Sequence, residues 1–415
     1  MNPFSLLVKP ASADCNLQCE YCFYLDHLSL YPDTKRHRMS DTVLEKMISS
    51  YMATDQPQYA FGWQGGEPTL MGVDFFRKVI DLQKKYGKKN SIVSNGLQTN
   101  ATLINNELAA HLGMNNFLVG VSLDGPEDIH NHYRKAAEGK GTHHRVWQGI
   151  ECLRRHKVEF NVLTLVNSAN VNKGKEIFKY LCDQNFSYQQ YIPCVEFDSK
   201  GKQLPYTITG KQWGDFLCAL FDEWIGRKDP LAISIRLFDS ILLFMLDGAY
   251  TLCHMAGNCC QYFVVEYNGD VYPCDFFVQP SLLLGNIMEQ SWDDLASSDR
   301  YQAFGRQKNE WNGKCRDCEF LLYCSGDCLK HRLYAGGNPQ KLSWLCEGWK
   351  RFFQYSLPEF FKLAQTILSK RKGGRISSSA LRVLKLVKTG RNELCFCGSG
   401  KKFKKCHGTS HPMIR

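Results

Sequence analysis

Over the first 200 residues, short apolar runs alternate with helix-length amphipathic stretches, and this pattern constrains the chain more than any other feature. Candidate strands are Ser5–Val8, Tyr59–Trp63, Ser91–Val93, Phe117–Ser122, Phe160–Val166 and Tyr188–Ile192. Helical patterns lie between them near Asp41–Met52, Val73–Tyr86, Asn105–His111, His144–His156 and Asn172–Cys182. Such alternation predicts a parallel sheet with crossover helices, because parallel neighbours need a long return connection. Six such units make a barrel, or an open part of one, with its chemistry where the strands end at their carboxyl edge. After about Arg236 cysteines and loops dominate, with a hairpin expected at Phe263–Val271 turning at Asn268–Gly269 and a helix from about Leu345 to Ile367. Lys370–Arg375 with Ser377–Ser379 reads as a linker, followed by a short helix at Ala380–Lys388 and a last small unit at Asn392–His407. The expected fold class is therefore α/β. A partial (β/α)6 barrel (1–235) precedes a cysteine-rich α+β domain (236–368), a basic linker (369–390) and a small zinc-knuckle tail (391–415).

A length of 415 residues fits two or three domains, and 44% hydrophobic with 22% charged residues excludes general disorder, collagen and coiled coil. No apolar run reaches the roughly 18 residues of a membrane span. Phe4–Val8 is too short for a signal-peptide core and no basic stretch precedes it, so the expected location is the cytoplasm. The net charge is +10, yet Ser369–Arg415 holds 13 Lys and Arg against one acid; that tail of +12 leaves −2 for the rest. A near-neutral body argues against nucleic acid, and a basic tail reads as an appended interaction element.

Nineteen cysteines in a reducing compartment read as metal ligands, and thiolates select iron–sulfur clusters or zinc. Cys15, Cys19 and Cys22 form C-x3-C-x2-C directly after the first strand. Three thiolates on one loop hold three irons of a cubane and leave the fourth open; the alternative is part of a zinc site completed by a ligand such as His27. Gly65-Gly66-Glu67-Pro68 lies just past strand two, Ser94-Asn95 after strand three, Ser122 and Asp124 after strand four, Arg134 soon beyond, and Pro193, Cys194 and Val195 after strand six. Each alone reads equally as a turn, a cap or a surface cation; together they mark one rim. Cys253, Cys259, Cys274, Cys315, Cys318, Cys324, Cys328 and Cys346 suffice for two fully ligated cubanes or for a pair of zinc ribbons. Cys260 reads as a spare, and Cys152, Cys182, Cys194 and Cys218 as packing residues. Cys395, Cys397, Cys406 and His407 suit tetrahedral zinc in a segment too short for a packed core.

The run C-N-L-Q-C-E-Y-C, with an aromatic before its last cysteine and G-G-E-P after strand two, resembles the radical S-adenosylmethionine (SAM) enzymes. The resemblance implies that Tyr21, Gly66, Ser122, Arg134 and Val195 line the SAM site. The second cysteine set resembles the SPASM extension of peptide-modifying radical enzymes. That likeness implies one auxiliary cluster on Cys253, Cys259, Cys274 and Cys328 and another on Cys315, Cys318, Cys324 and Cys346, hence three [4Fe–4S] clusters in all.

S-L-L-V-K-P-A-S, F-x-W-Q-G-G-E-P-T-L, L-Q-T-N, V-S-L-D-G-P and V-E-Y-N-G-D-V-Y-P-C-D-F-F-V resemble anaerobic sulfatase-maturating enzymes over about residues 4–365. This implies oxidation of a cysteine or serine in a sulfatase precursor to Cα-formylglycine, with an electron donor such as flavodoxin or ferredoxin. Asp275, directly after Cys274, is then the candidate base for the target's thiol or hydroxyl proton, and Gln64 a candidate peptide contact; without the likeness, Asp275 reads as a turn residue. The tail C-F-C-G-S-G-K-K-F-K-K-C-H resembles the SEC-C motif of the Sec translocase motor, which binds a protein partner, so an export chaperone is its expected contact. Two other functions fit less of the pattern: a SPASM maturase that crosslinks a ribosomal peptide, and a non-enzymatic iron–sulfur carrier with a binding tail.

Overall fold

The computed structural model describes residues 3–370 together with Lys402. Seven parallel strands run in sequence order: β1 (Ser5–Lys9), β2 (Tyr59–Trp63), β3 (Val93–Thr99), β4 (Leu118–Ser122), β5 (Phe160–Val166), β6 (Tyr188–Pro193) and the two-residue β7 (Ser234–Ile235). The crossovers contain α1 (Asp41–Ala53), α2 (Gly72–Tyr86), α3 (Asn106–Met114), α4 (Glu127–Tyr133), α5 (His143–Arg155), α6 (Gly174–Asp183) and α7 (Gly210–Ile225). Period-two burial along the strands puts Leu6, Val8, Phe61 and Trp63 into the layer under the helices. The buried faces of α1, α2, α5 and α6 cover that layer.

The sheet does not stop at the barrel. β8 (Tyr262–Glu266) pairs in parallel with β1, from Ser5 opposite Tyr262 to Lys9 opposite Glu266. β9 (Asp270–Tyr272) and β10 (Gly285–Asn286) extend it antiparallel, giving one ten-stranded sheet open at β10 and β7. The hairpin turns at Asn268–Gly269 as expected, with Gly269 at φ +92°. The second cysteine region is thereby anchored beside the barrel's first strand.

Three expectations are corrected. Strand three covers Val93–Thr99 instead of Ser91–Val93. Its S-N-G-L-Q-T sequence is polar because Asn95, buried, accepts from Trp63 Nε1 at 2.9 Å and Gln83 Nε2 at 3.0 Å, so an apolar-run criterion misses it. Helix α7 falls where no helix is expected, between Asn172–Cys182 and Leu345–Ile367, and opens on a Thr209–Gln212 capping box. After Arg236 the chain first forms α8 (Arg236–Asp247), an apolar helix ended by left-handed Gly248, before the cysteine-rich loops begin.

The last described helix is Cys346–Lys370, against the expected Leu345–Ile367. It packs on α7 so closely that a Cβ on Gly348 would lie 2.1 Å from the Gly210 carbonyl oxygen. The expected linker begins inside this helix, at 369 and Lys370; the rest of it, the short helix at Ala380–Lys388 and the zinc ligands Cys395, Cys397, Cys406 and His407 lie outside the described residues. Among the described residues no helix is long and apolar enough to cross a membrane.

Candidate active site

The first cysteine loop is held from beneath by strand ends. After β1 the chain turns at Ser12, and the glycine loop after β2 docks on it: Gly66 N donates to Ser12 O at 2.7 Å and Glu67 N to Asp14 O at 2.8 Å. A Cβ on Gly66 would stand 2.1 Å from the Asp14 carbonyl oxygen, so this position needs glycine for the approach of the cysteine loop itself. Glu67 is fully buried and accepts from Thr69 N (3.0 Å), Thr69 Oγ1 (2.6 Å), Thr99 Oγ1 (2.7 Å) and Asn100 N (2.8 Å). It thus clamps the end of β2 to the end of β3. Asn100 then reaches up to Asn16 Oδ1 at 3.0 Å and lies 3.7 Å from Cys15 Sγ.

The far side of the loop is zipped to the segment after α4. Gln18 N donates to Lys135 O at 2.8 Å, and Leu17 bridges Ala136. This brings Arg134 over the Tyr21 ring, 5.4 Å from its centroid. Asp124 holds both: it accepts from the Tyr21 hydroxyl, pairs with Arg134 Nε at 3.1 Å, and takes Leu165 N at 3.0 Å. Burial lowers the Arg134 guanidinium's pKa, but the Asp124 charge and then Tyr21 more than offset this and leave it above the ordinary arginine range. Ser122, at the end of β4, accepts from Gln98 Nε2 at 3.2 Å. Val195 follows β6 with its side chain in the main core. Cys194 packs with Cys19, Tyr21 and Tyr133. His27, the conceivable fourth zinc ligand, has its ring edge-on to those of Phe23 and Tyr24.

Of the three thiols, Cys19 is buried, Cys22 partly so, and Cys15 exposed. Burial pushes the Cys19 thiol up to about 11 and the Cys22 thiol upward. Such thiols stay protonated and inert without metal, and bind iron by exchanging the proton for it.

Asp275 opens a short turn directly after β9 and Cys274. Its carboxylate is not spent on that turn. Oδ1 accepts from the Tyr24 hydroxyl at 2.6 Å and pairs with Lys9 Nζ at 2.8 Å, while Oδ2 accepts from Gln64 Nε2 at 3.0 Å. Lys9 is fully buried at the end of β1, 4.1 Å above the Tyr24 ring. Burial, then the Asp275 charge, holds the Tyr24 hydroxyl well above the ordinary phenol range, so it remains a donor. Carboxylate oxygens offer about four lone-pair sites, and three are used here. Lys9 and Tyr24 were not singled out in the sequence, although a lysine ending an apolar strand is a signal of a buried charge with a partner.

Among the described residues no three His, Cys, Asp or Glu side chains converge on a point where one metal ion would sit. Burial first, then the charges of Cys253 and Cys274, with Asp327 and Cys259 contributing less, raises the Cys328 thiol. Cys315, Cys318, Cys324 and Cys346 line one cavity of about 440 Å³ with Phe320, Trp349 and Phe353. Four ligands about 2.3 Å from a single zinc would leave no such space; a cavity of this size walled by thiols and aromatics fits a cluster. Cys260 Sγ instead contacts the Tyr301 carbonyl at 3.3 Å.

A cysteine loop at the mouth of a parallel partial barrel, backed by thiol-rich extensions, defines a radical SAM enzyme. The Radical SAM superfamily model matches residues 10–181, an iron–sulfur cluster-binding domain matches 247–319, and the SEC-C motif matches 391–409. The serine-type anaerobic sulfatase-maturating enzyme of Bacteroides thetaiotaomicron is 38% identical over 375 residues, covering 86% of this chain and 90% of that one. The cysteine-type enzyme of Clostridium perfringens is 38% identical over 373 residues, covering 88% and 100%. The chain belongs to the anaerobic sulfatase-maturating enzymes, with [4Fe–4S] clusters and SAM as its cofactors. The solved structure of native anSMEcpe with bound AdoMet and Cp18Cys peptide superposes with a TM-score of 0.81 at 37% identity, covering 88% of this chain and 99% of that one. Streptococcus suis SuiB bound to precursor peptide SuiA, at 16% identity and a TM-score of 0.59, shares the fold.

Proposed function

We propose that the chain oxidises the Cβ of a cysteine or serine in a sulfatase precursor to Cα-formylglycine. The observation that carries this reading is the Asp275 carboxylate, adjoining Cys274 and held by Lys9 at the end of β1, Gln64 just past β2 and Tyr24 from the first cysteine loop. Bound at Cys15, Cys19 and Cys22, a reduced cluster with SAM supplies a 5′-deoxyadenosyl radical, and clusters on the two later cysteine sets supply an electron acceptor. The chain's own part is positioning and proton transfer. Tyr21, Gly66, Ser122, Arg134 and Val195 form the SAM side of the site, with Tyr21 and Arg134 locked by Asp124. The barrel mouth holds the target Cβ in reach of the radical.

Loss of a hydrogen atom from Cβ makes the neighbouring heteroatom's proton far more acidic. Asp275 accepts that proton at Oδ2, the oxygen with one partner rather than two. One hydrogen atom, one proton and one electron thus leave the target, a two-electron oxidation. A serine target yields the aldehyde directly; a cysteine target yields a thioaldehyde that water hydrolyses with release of sulfide.

The same proposal covers the tail and the setting. Cys395, Cys397, Cys406 and His407 hold zinc, and the tail engages an export chaperone or the unfolded precursor. The electron donor is a flavodoxin or ferredoxin, and the enzyme works in the cytoplasm, where thiolates stay reduced. Anaerobic incubation with cysteine and serine versions of a sulfatase peptide, read by mass spectrometry, tests the reading. Formylglycine formed together with 5′-deoxyadenosine supports it; crosslinked or unchanged peptide in both cases contradicts it.

A further inference from the structure

Lys308 lies in the short turn Gln307–Asn309 and is completely buried. Its ammonium donates to three backbone carbonyls, those of His254 (2.9 Å), Ser325 (2.8 Å) and Asp327. An ammonium has three N–H donors and no acceptor, so this arrangement uses all of them, and a neutral amine could not fill it. Each carbonyl belongs to a neighbour of a cluster cysteine: His254 follows Cys253, Ser325 follows Cys324, and Asp327 precedes Cys328. Cys253 and Cys328 belong to one expected ligand set and Cys324 to the other.

The clip is itself supported. Arg332, 1% exposed, donates to the Lys308 carbonyl at 2.9 Å and to that of Pro339 at 2.9 Å, which fixes the Lys308 backbone. The Asp327 carboxylate turns to His331 Nδ1 at 2.9 Å and to the Ser343 hydroxyl, not to the ammonium. A buried ammonium met only by carbonyls is costly; a methionine of similar length would remove the charge but leave those three carbonyls without their donor.

We propose that Lys308 is a positioning residue for both auxiliary clusters, tying together the chain beside Cys253, Cys324 and Cys328 and holding a fixed positive charge between the two ligand sets. The inference rests on the ligand sets of the proposed function. Reduction of a cluster adds one negative charge, and a fixed cation favours that state. The single electron left on the substrate after hydrogen and proton transfer passes to an oxidised auxiliary cluster, and Lys308 makes that acceptor stronger.

The test compares the full-length, reconstituted chain with its Lys308→Met and Lys308→Arg variants. It measures iron per chain, the rate of iron loss to a chelator, and auxiliary-cluster reduction in a titration followed by electron paramagnetic resonance. In Lys308→Met the reduced-to-oxidised ratio at fixed potential is expected to fall about tenfold, about 59 mV for a one-electron couple. Its auxiliary iron is expected to leave about tenfold faster. A Met variant that retains only the first cluster's iron supports the positioning role equally. Lys308→Arg keeps the charge, so its ratio stays within about threefold of wild type, but its planar fork cannot direct donors at the same three carbonyls and its iron leaves faster. Wild-type ratio and wild-type iron loss in Lys308→Met overturn the proposal. If that variant does not fold, wild-type iron loss in Lys308→Arg overturns it. A wild-type chain holding about four irons instead of about twelve removes the auxiliary clusters themselves; about twelve irons with an indifferent variant removes the role of Lys308 alone.

Discussion

Cys15, Cys19 and Cys22 come from one short loop, while the cysteines proposed to hold the auxiliary clusters are scattered from Cys253 to Cys346. The loop needs few partners, because strand ends already supply a rigid floor: Gly66 and Glu67 from β2, Asn100 from β3, and Asp124 from beyond β4. It is left open on top, with Cys15 exposed. The scattered set has few strands beneath it and relies on buried ions, Lys308 and Arg332 against backbone carbonyls and Asp327 against His331 and Ser343. An iron that must meet a ligand suits a loop fixed from one side. Clusters that only pass electrons need full ligation rather than an open iron, and Cys315, Cys318, Cys324 and Cys346 share one half-open pocket of about 440 Å³ with Phe320, Trp349 and Phe353.

The comparison breaks most visibly at the open loop. Replacing Cys15, Cys19 and Cys22 together by alanine should abolish SAM cleavage and remove about four of about twelve irons, leaving the auxiliary clusters intact. Loss of all iron in that variant would mean that the two regions do not fold and load separately. Iron analysis and a 5′-deoxyadenosine assay read both outcomes.

A smaller effect sharpens the account of the floor. Glu67→Gln puts an amide N–H2 where the fully buried carboxylate now takes four donors. Hydrogen bonds to charged groups contribute about 1.5–3 kcal/mol each, and a partly repaired loss of about 2–3 kcal/mol is expected. The melting temperature should fall by several degrees, and the first cluster should be lost to chelators sooner than in wild type, with the auxiliary ones unaffected. An unchanged melting temperature would remove Glu67 from the account.

The smallest effect concerns neither region. Truncation after Leu368 should leave turnover of a short peptide unchanged while reducing maturation of full-length precursor in cells. Equal maturation with and without the tail would contradict a partner-binding role for the motif at residues 391–409.

Legibility in the sequence followed the same divide. β2 and β5 fall where their apolar runs predict, because each buries one face under helices. β3 differs from its expected span because its buried polar residue Asn95 is satisfied by Trp63 and Gln83, which no local pattern shows. Helices α7 and α8 are rich in large apolar residues buried on much of their surface, so a short-run criterion does not separate them from strands. At the candidate site, Asp275 and Gln64 were visible from motif position, 211 residues apart. Lys9 and Tyr24 were not, since the Tyr24–Asp275 bond spans 251 residues and exists only once β8 has docked on β1. Lys308 was equally silent, because its partners are backbone carbonyls and leave no mark on residue type.

The central claim is that Asp275 removes the target's proton after hydrogen abstraction, and Asp275→Asn tests it most directly. The substitution keeps the shape of the side chain, and Lys9, Tyr24 and Gln64 remain beside it. Positioned general bases contribute about 10²–10⁴-fold, so formylglycine formation should fall by about that factor while uncoupled SAM cleavage continues. Iron content and cluster spectra, measured on the same sample, should match wild type; loss of auxiliary signal would point to a role in supporting Cys274 instead. Full product formation by an iron-replete Asp275→Asn enzyme would contradict the assignment.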